Sequence, residues 1–588
     1  MMQEIPATQN NELSAAPVTD EQIPPIVPWK TQLCDIAILI VGLIIIECLF
    51  GYFRPLARPD SISSLETARE ILFNHNWITL TLNNAIAFDS PPLFYWLTAL
   101  SFKVFGYSLF AARFWPGIFG MIGVISLYLF GTWFAGRRMG LACALIATTS
   151  MLPLTLMTAA SPYIMGSVFI TIGLCSIYAA GQTAPSTKRT WLVALFWFTC
   201  GLNTLLLGIA GLLLPLTIAI VFFWVMTDTI TLKALIFSPK GIFFFLIVTI
   251  PWYVVVAQHN PHFLYYFFYQ SILLSYLIHF HNALESFLLV IFGLFAAMLP
   301  WSLIGNMGYW ACRPLDWNSR FEKPLGMFLL VWIFFTSIYL IGIAPTQLFW
   351  IGLLTPAFSI ALAKALHRWW STTDKGLFSA SKSLIILCLV VLAALFCLLT
   401  SHSGDFSLGF VPSLAEEIWL WVVFSIFVIG GVCSYFALKR QDGLKITTWI
   451  FLLLGLIGTI TFVSALPRLR QDSMQPIVQY IQTHQKKDDV IASYHQYYSE
   501  IGFSMQKSPL VVVDWLSPPM YASLYQNLSS WVVTSAFFWQ TINQNGRNVY
   551  FVVAKSDMSS LSGVIQDNHL RSVAENGQVV LLTNAAES

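Results

Sequence analysis

The sequence predicts a polytopic α-helical membrane protein with a small α/β domain at its carboxyl end. Of its 588 residues, 57% are apolar and 10% are charged, and the mean hydropathy is +0.71. Soluble domains are about a quarter charged, so these values exclude that class. The net charge of +2 gives no basic excess for nucleic-acid binding. The second observation is a change near residue 466, after which the chain becomes polar.

Apolar stretches long enough to cross a bilayer occupy most of residues 31–466. A spanning helix needs about 20 mostly apolar residues, and about 13 stretches qualify. They lie near 33–52, 109–134, 139–157, 162–181, 190–206, 208–227, 240–257, 284–305, 325–343, 346–366, 383–400, 416–438 and 446–465. A further stretch, 91–106, is shorter and contains Lys103, so its length alone leaves it ambiguous.

The distribution of lysine and arginine predicts the orientation of these spans. Basic residues in short loops mark the cytoplasmic side, and pairs such as Arg137 and Arg138 face that side only if 91–106 does not span. That segment is therefore predicted to be interfacial or re-entrant on the outer face. The first predicted unit is a cytoplasmic tail, 1–30. It is followed by a membrane domain, 31–466, with a long first outer loop at 53–108, and by a periplasmic domain, 467–588.

Short runs rich in β-branched residues alternate with amphipathic helical runs in the periplasmic segment. The β-type runs lie at 490–493, 510–513, 549–553 and 579–582, and the helical runs lie at 475–484 and 556–565. This alternation predicts a small α/β domain on the outer face of the membrane.

A dense charged cluster lies just beyond the first span, in the segment FRPLARPDSISSLETAREIL (53–72). The spacing of Glu66, Arg69 and Glu70 places them on one face of a short helix, which is typical of a solvated interfacial helix with local ion pairs. Asp60 precedes this helix and fits a capping role. A carboxylate near arginines that could hold a phosphate also fits a lipid-phosphate-dependent transfer. Both interpretations of Asp60 remain open from spacing alone.

Several segments together carry a family resemblance. They are RPLARPD, LETAREIL, FDSPPLFYWLTALSFKVFG, FAARFWPGIFG, PWYVVVAQHNPHFLYYFF and MLPWSLI, followed in the periplasmic segment by VIASYHQYYSEIGFSMQKSPLVVVDW, NVYFVVAKSDM and VVLLTN. In this order they resemble the bacterial 4-amino-4-deoxy-arabinose lipid A transferases. That family belongs with the protein mannosyltransferases among the membrane glycosyltransferases of the C type.

The resemblance implies a fold of the C type and a transferase of the bacterial inner membrane. The donor would be a sugar on polyprenyl (undecaprenyl) phosphate, and the acceptor lipid A, lipopolysaccharide or another envelope glycan. The family's catalytic first-loop aspartate corresponds to Asp60, which would act as a base toward the acceptor, or orient the acceptor or a divalent ion. Arg58 and Arg54 would support the departing phosphate. Glu66 and Asp89 are further substrate-binding candidates.

Other positions of the family pattern are replaced in this chain. Ser61 stands where an acidic residue is usual, and Ser90 stands where a lysine is usual. Gln270 and Ser271 replace a Glu-His pair. These replacements leave a second interpretation open, in which the protein binds polyprenyl phosphate or a glycolipid without catalysis.

The outer loop around 258–283 holds the remaining site candidates. His259 and His262 have a spacing that fits a substitute metal site, and they fit interfacial or structural roles as well. Tyr265 and its aromatic neighbours fit stacking on a sugar or a prenyl chain, and equally an aromatic belt at the membrane interface.

Overall fold

The computed structural model contains a helical membrane part and a C-terminal domain built on a six-stranded sheet. The residues that it describes are 27–48, 62–88, 90–267, 283–304, 324–343, 348–371, 414–437, 443–465, 474–486 and 488–585. The predicted span 383–400 and most of the predicted tail 1–30 lie outside this set.

The helices of the membrane part follow the predicted apolar stretches closely. They are α1 Trp29–Ile46, α2 Ile62–Phe73, α3 Leu93–Phe105, α4 Leu109–Ala135, α5 Arg137–Thr149, α6 Met151–Met157, α7 Tyr163–Gly181, α8 Thr187–Leu207, α9 Ala210–Val225, α10 Thr229–Ile236, α11 Pro239–His259, α12 Phe263–Tyr265, α13 Ala283–Ala297, α14 Pro324–Ile343, α15 Thr355–Ser371, α16 Leu414–Ala437 and α17 Gly443–Ala465. In the described part of the chain, six helices are long and apolar enough to cross a membrane, or seven if α5 and α6 form one span. The count of 13 spans and their orientation stay predictions.

Two stretches predicted as continuous helices are broken, and a proline lies in the first turn of the helix that follows each break. The stretch 139–157 forms α5 and α6, which meet at a bend of 72°. Proline has no amide hydrogen and is favoured in the first turn of a helix, where that hydrogen is not needed, and Pro153 lies in the first turn of α6. The stretch 346–366 likewise forms a 3-10 helix, Leu348–Leu353, and then α15, with Pro356 in its first turn.

An ion pair between a buried carboxylate and a half-exposed guanidinium attaches α1 to the neighbouring helices. Asp35 on α1 is 4% exposed, and Arg137 at the start of α5 donates to its two carboxylate oxygens at 2.8 and 2.7 Å. The hydroxyl of Tyr128 on α4 donates to Asp35 Oδ2 at 2.7 Å. A buried carboxylate needs such partners, so this contact fixes the position of α1 along the bundle.

Helices α4 and α5 approach each other closely through small residues. The chain turns between them at Gly136, whose φ of +84° favours glycine. A Cβ atom added to Gly140 would lie 2.0 Å from Thr132 Oγ1 and 2.5 Å from the carbonyl oxygen of Tyr128. Small residues allow this kind of backbone contact between membrane helices.

Replacing Gly140 is therefore expected to destabilise the bundle. Gly140→Ala forces α4 and α5 apart, and overpacking of this kind costs about 2 kcal/mol. The thermal midpoint in detergent should fall. Gly42→Ala on α1 is the matched control, because no atom lies within 4 Å of an added Cβ there. Equal midpoints for the two variants would contradict the close contact.

The C-terminal domain is an open sheet with helices on both faces. Two short strands of the first outer loop, β1 Thr81–Leu82 and β2 Ala85–Ile86, form a separate hairpin. The sheet strands are β3 Val490–Tyr494, β4 Val511–Val513, β5 Val532–Val533, β6 Val549–Ala554, β7 Arg571–Glu575 and β8 Val579–Thr583, in the order β5-β4-β3-β6-β8-β7. The helices are α18 Gln475–His484, α19 Ser499–Met505, α20 Met520–Tyr525, α21 Ser535–Asn545 and α22 Ser562–Asp567.

The predicted elements of this domain are mostly confirmed. All four predicted β-type runs form strands, and α18 has the predicted bounds. The predicted helix over 556–565 is wrong as a continuous element, because it divides into a 3-10 turn, Lys555–Asp557, and α22. The hydroxyl of Ser560 donates to the carbonyl of Asp557 at 2.7 Å, a local bond that competes with helix formation. Strands β5 and β7 were not predicted.

Candidate functional site

The charged helix α2 is buried, so its predicted character as a solvated interfacial helix is wrong. Glu66, Arg69 and Glu70 expose 0%, 2% and 0% of their surface. The polar face of α2 packs against the C-terminal domain, chiefly along α19. The spacing of the charges was visible in the sequence, but the domain that covers them is not adjacent in the chain.

Glu66 and Arg69 form the predicted ion pair, and the C-terminal domain completes it. The guanidinium of Arg69 donates from Nε to Glu66 Oε2 at 2.8 Å and from Nη2 to Oε1 at 2.6 Å. It also donates to the carbonyl of Lys507 at 3.3 Å, and the hydroxyl of Tyr497 donates to Glu66 Oε1 at 3.1 Å. Burial raises the pKa of Glu66 although the bonds from Arg69 and Tyr497 oppose the shift. The whole group is held away from solvent.

Glu70 receives hydrogen bonds from two separate parts of the chain. Ser508 Oγ in the C-terminal domain donates to its Oε1 at 2.7 Å. Thr81 Oγ1 donates to Oε2 at 2.6 Å, and the amide of Asn84 donates to Oε2 at 3.1 Å. These donors provide the hydrogen bonds that a buried carboxylate requires. Glu70 therefore joins α2, the β1–β2 hairpin and the C-terminal domain.

The turn of the β1–β2 hairpin is inserted into the C-terminal domain. Asn83 and Asn84 have φ angles of +53° and +58°, a backbone that asparagine tolerates well in two-residue hairpin turns. The side chain of Asn83 donates to the carbonyl of Leu510 at 3.0 Å and accepts from its amide at 2.7 Å. The side chain of Gln526 accepts from the amide of Ile86 at 2.7 Å and donates to the carbonyl of Asn84 at 3.0 Å. The hairpin is thus bound by four backbone-directed hydrogen bonds.

Aromatic rings join the loop after α11 to the region where the β1–β2 hairpin contacts the C-terminal domain. The ring of Phe88 lies 4.8 Å from that of Phe263 and 4.9 Å from that of Tyr521, both edge to face. The hydroxyl of Tyr521 donates to the carbonyl of Pro261 at 2.5 Å. The first outer loop, the loop after α11 and the C-terminal domain therefore meet in one packed region.

A cleft of about 680 Å³ opens at the start of α2. Ile62 and Ser63 form one wall, and residues 496–500, 554–556 and the turn before β8 form the others. Small-molecule sites typically have a volume of about 300–1,000 Å³. Ile62, which lines the cleft, is the second residue after Asp60 in the sequence.

The predicted site residues divide into two groups. Arg54, Arg58, Asp60 and Asp89 lie outside the described residues, and their roles stay predictions. Glu66 is engaged by Arg69 and Tyr497, so a contact between Glu66 and a substrate also stays a prediction. Tyr265, at the end of α12, is 55% exposed.

The two candidate metal-binding histidines have other contacts. His259 Nδ1 lies 2.8 Å from the carbonyl oxygen of Val255, and the ring of His262 stacks on Tyr525 at 4.9 Å. Across the described ranges, no group of three His, Cys, Asp or Glu side chains could hold a metal ion. A divalent ion therefore stays a prediction that the described residues do not support.

Sequence reasoning missed the residues that hold this region together. Tyr497, Ser508, Asn83 and Gln526 are uncharged, and their partners lie 427 to 442 positions away in the chain. The Asn83-Asn84 pair is a turn signal that could have indicated the hairpin. No local pattern indicates which distant segment the hairpin contacts.

Comparisons with known proteins connect this geometry to one group of enzymes. A family model described as dolichyl-phosphate-mannose-protein mannosyltransferase matches residues 89–255. The undecaprenyl phosphate-alpha-4-amino-4-deoxy-L-arabinose arabinosyl transferase of Enterobacter sp. (strain 638) is 24% identical over 298 residues, which are 50% of this chain and 53% of that relative. The transferase of the same name from Aeromonas hydrophila subsp. hydrophila is 23% identical over 529 residues, which are 84% and 89% of the two chains. The chain thus spans about half the length of the first relative and most of the second.

A solved structure decides the fold. The crystal structure of ArnT from Cupriavidus metallidurans bound to undecaprenyl phosphate matches with a TM-score of 0.78 at 18% identity, covering 94% of this chain and 98% of that one. The chain has the ArnT fold. The crystal structure of the Cupriavidus metallidurans protein in the apo state also matches, with a TM-score of 0.74. The ArnT-like architecture confirms the predicted helical C-type fold with a small C-terminal sheet domain.

Proposed function

We propose that this ArnT-like chain is a membrane glycosyltransferase that moves a sugar from a polyprenyl phosphate carrier to lipid A or another envelope acceptor. The observation that carries the proposal is the match along 94% of the chain to a protein bound to undecaprenyl phosphate. The names of the arabinosyl transferase relatives support the same reaction class. The proposed location is the bacterial inner membrane, with a cytoplasmic amino terminus and a periplasmic C-terminal domain.

Asp60 is the proposed catalytic carboxylate. Ile62, a residue of the cleft wall, is the second residue after Asp60 in the sequence, and the proposed place of the Asp60 carboxylate is this cleft. There the carboxylate acts as a base toward the acceptor or orients it for attack on the anomeric carbon. Arg54 and Arg58 are proposed to stabilise the phosphate that departs with the polyprenyl chain. Asp89 and Tyr265 remain proposed substrate contacts.

The buried network on α2 supports this arrangement. Helix α2 starts directly after the Asp60 segment, and Glu66 and Glu70 attach it to Tyr497 and Ser508 of the C-terminal domain. A reacting group is effective only when its support is rigid. We therefore assign Glu66 and Glu70 a positioning role beneath the proposed site.

Two measurements test the function together. The first compares the masses of envelope glycolipids from cells with and without the protein. The second follows thermal stability of the purified protein while undecaprenyl phosphate is added, since saturation at 100 times Kd stabilises a protein by about 2.7 kcal/mol. A mass difference with stabilisation supports the transferase. Stabilisation with no mass difference would favour the non-catalytic binder, and the absence of both would exclude each of these functions.

A further inference from the structure

In the parallel part of the C-terminal sheet, the strands after β3 are added first on one side of β3 and then on the other. From β3 the chain continues to β4 and then β5 on one side, and it returns to β6 on the other side of β3. Where the strand order reverses, the segments that leave the two neighbouring strands diverge. The crevice outside the carboxyl ends of such strands is where open α/β sheets bind ligands.

The cleft beside α2 lies at this reversal point. Residues 496–500 follow β3, and residues 555–556 follow β6. Asn576 and Gln578 precede β8, which is antiparallel to β6 and pairs Val579 with Ala554. All three segments therefore meet at the carboxyl edge of the parallel strands.

A contact between the first two segments holds the cleft open. His495 Nδ1 lies 3.1 Å from Asp557 Oδ2, which connects the residue after β3 to the turn after β6. His495 has a φ of +61°, and its ring stacks on Tyr494 with the centroids 3.7 Å apart. The two walls are thus held at a fixed separation by side chains outside the cleft lining.

The lining is rich in groups that both donate and accept hydrogen bonds. It contains amide and hydroxyl side chains of Gln496, Tyr498, Ser499, Ser556, Asn576 and Gln578. The charged groups of the described lining are Lys555 and Glu500, one of each sign, and Lys555 also lies 3.1 Å from Glu575. A phosphate accepts hydrogen bonds only and selects clustered cations, whereas a sugar hydroxyl both donates and accepts, as amides and hydroxyls do.

We propose that this cleft binds an uncharged pyranose ring of the acceptor, so that the C-terminal domain selects what is glycosylated. This inference rests on the proposed function and adds the acceptor's place to it. Apart from Ile62 and Ser63, the lining belongs to the C-terminal domain. A donor sugar is tied to its polyprenyl chain by one phosphate, which keeps it beside the membrane part. The ring held in the cleft at the carboxyl ends of β3 and β6 is therefore assigned to the acceptor.

Binding of a neutral disaccharide of N-acetylglucosamine to the full-length protein in detergent tests the proposal by saturation-transfer NMR. Ser556→Trp fills the cleft and is expected to reduce the saturation signal at least tenfold. Gln496→Ala and Gln578→Ala each remove one side-chain amide. Each is expected to weaken disaccharide binding a few-fold while the domain stays folded. Ser559→Trp is the matched control, because this exposed serine is three positions further along and outside the lining.

The outcomes separate this inference from the proposed function. A signal that survives Ser556→Trp, or that is absent from the wild type, overturns the cleft assignment. Displacement of the disaccharide by inorganic phosphate would show an anion site and also overturn it. Stabilisation by undecaprenyl phosphate should be the same in Ser556→Trp and wild type. Its absence from both, with disaccharide binding intact, would count against the proposed donor and leave the cleft proposal standing.

Discussion

Asp60→Asn is expected to abolish sugar transfer while the protein still inserts in the membrane. The substitution keeps the size of the side chain and removes the carboxylate that the proposed mechanism uses as a base. Losing a positioned base typically costs about 10² to 10⁴ in rate, which places the transfer near background. The measurement is the mass of envelope glycolipids in cells that produce each variant, together with the amount of protein in the membrane.

Asp567→Asn provides the control for this experiment. Asp567 is an exposed carboxylate at the end of α22 in the C-terminal domain, so the same chemical change there should leave transfer intact. Stabilisation by undecaprenyl phosphate should persist in Asp60→Asn, because the proposed phosphate contacts are Arg54 and Arg58. Full transfer by Asp60→Asn would remove Asp60 from the mechanism. A helix-capping role alone would lower stability and leave the rate per folded molecule unchanged.

The second large effect is expected at Glu66. Glu66→Ala leaves the guanidinium of Arg69 buried without its carboxylate, and breaking one side of a buried pair costs about 3–5 kcal/mol. The thermal midpoint in detergent should fall sharply. The junction between α2 and the C-terminal domain should also become sensitive to protease, because the bond from Tyr497 to Glu66 is lost at the same time.

A double variant distinguishes an unpaired charge from lost packing. Glu66→Ala combined with Arg69→Met removes both charges, and it should recover most of the stability that Glu66→Ala loses. Transfer should stay low in the double variant if the network positions the Asp60 segment, since the links to Tyr497 and Lys507 are absent. A double variant no more stable than Glu66→Ala would show that the buried charge is not the cause. Normal transfer in the double variant would contradict the positioning role.

Much of the local structure followed from the sequence. Helix α18 has the predicted bounds, and β3, β4, β6 and β8 lie where runs of β-branched residues predicted strands. These elements are short-range features, because apolar periodicity and run length are properties of neighbouring residues. The broken stretch 139–157 was also within reach of local reasoning. Pro153 favours the first turn of a helix over its interior, although Pro116, Pro215 and Pro251 lie inside α4, α9 and α11.

The tertiary structure decided which residues surround the charged side chains of α2. The sequence by itself determined the fold class, the order of most elements and the segment around Asp60 that resembles a transferase family. It could not show that Glu66 and Glu70 are covered by Tyr497 and Ser508, because a pairing across 431 or 438 positions leaves no periodic trace. The cleft likewise exists only where α2 meets the carboxyl ends of β3 and β6. Burial and cavities depend on which distant surfaces come together, and a local pattern carries no information about that choice.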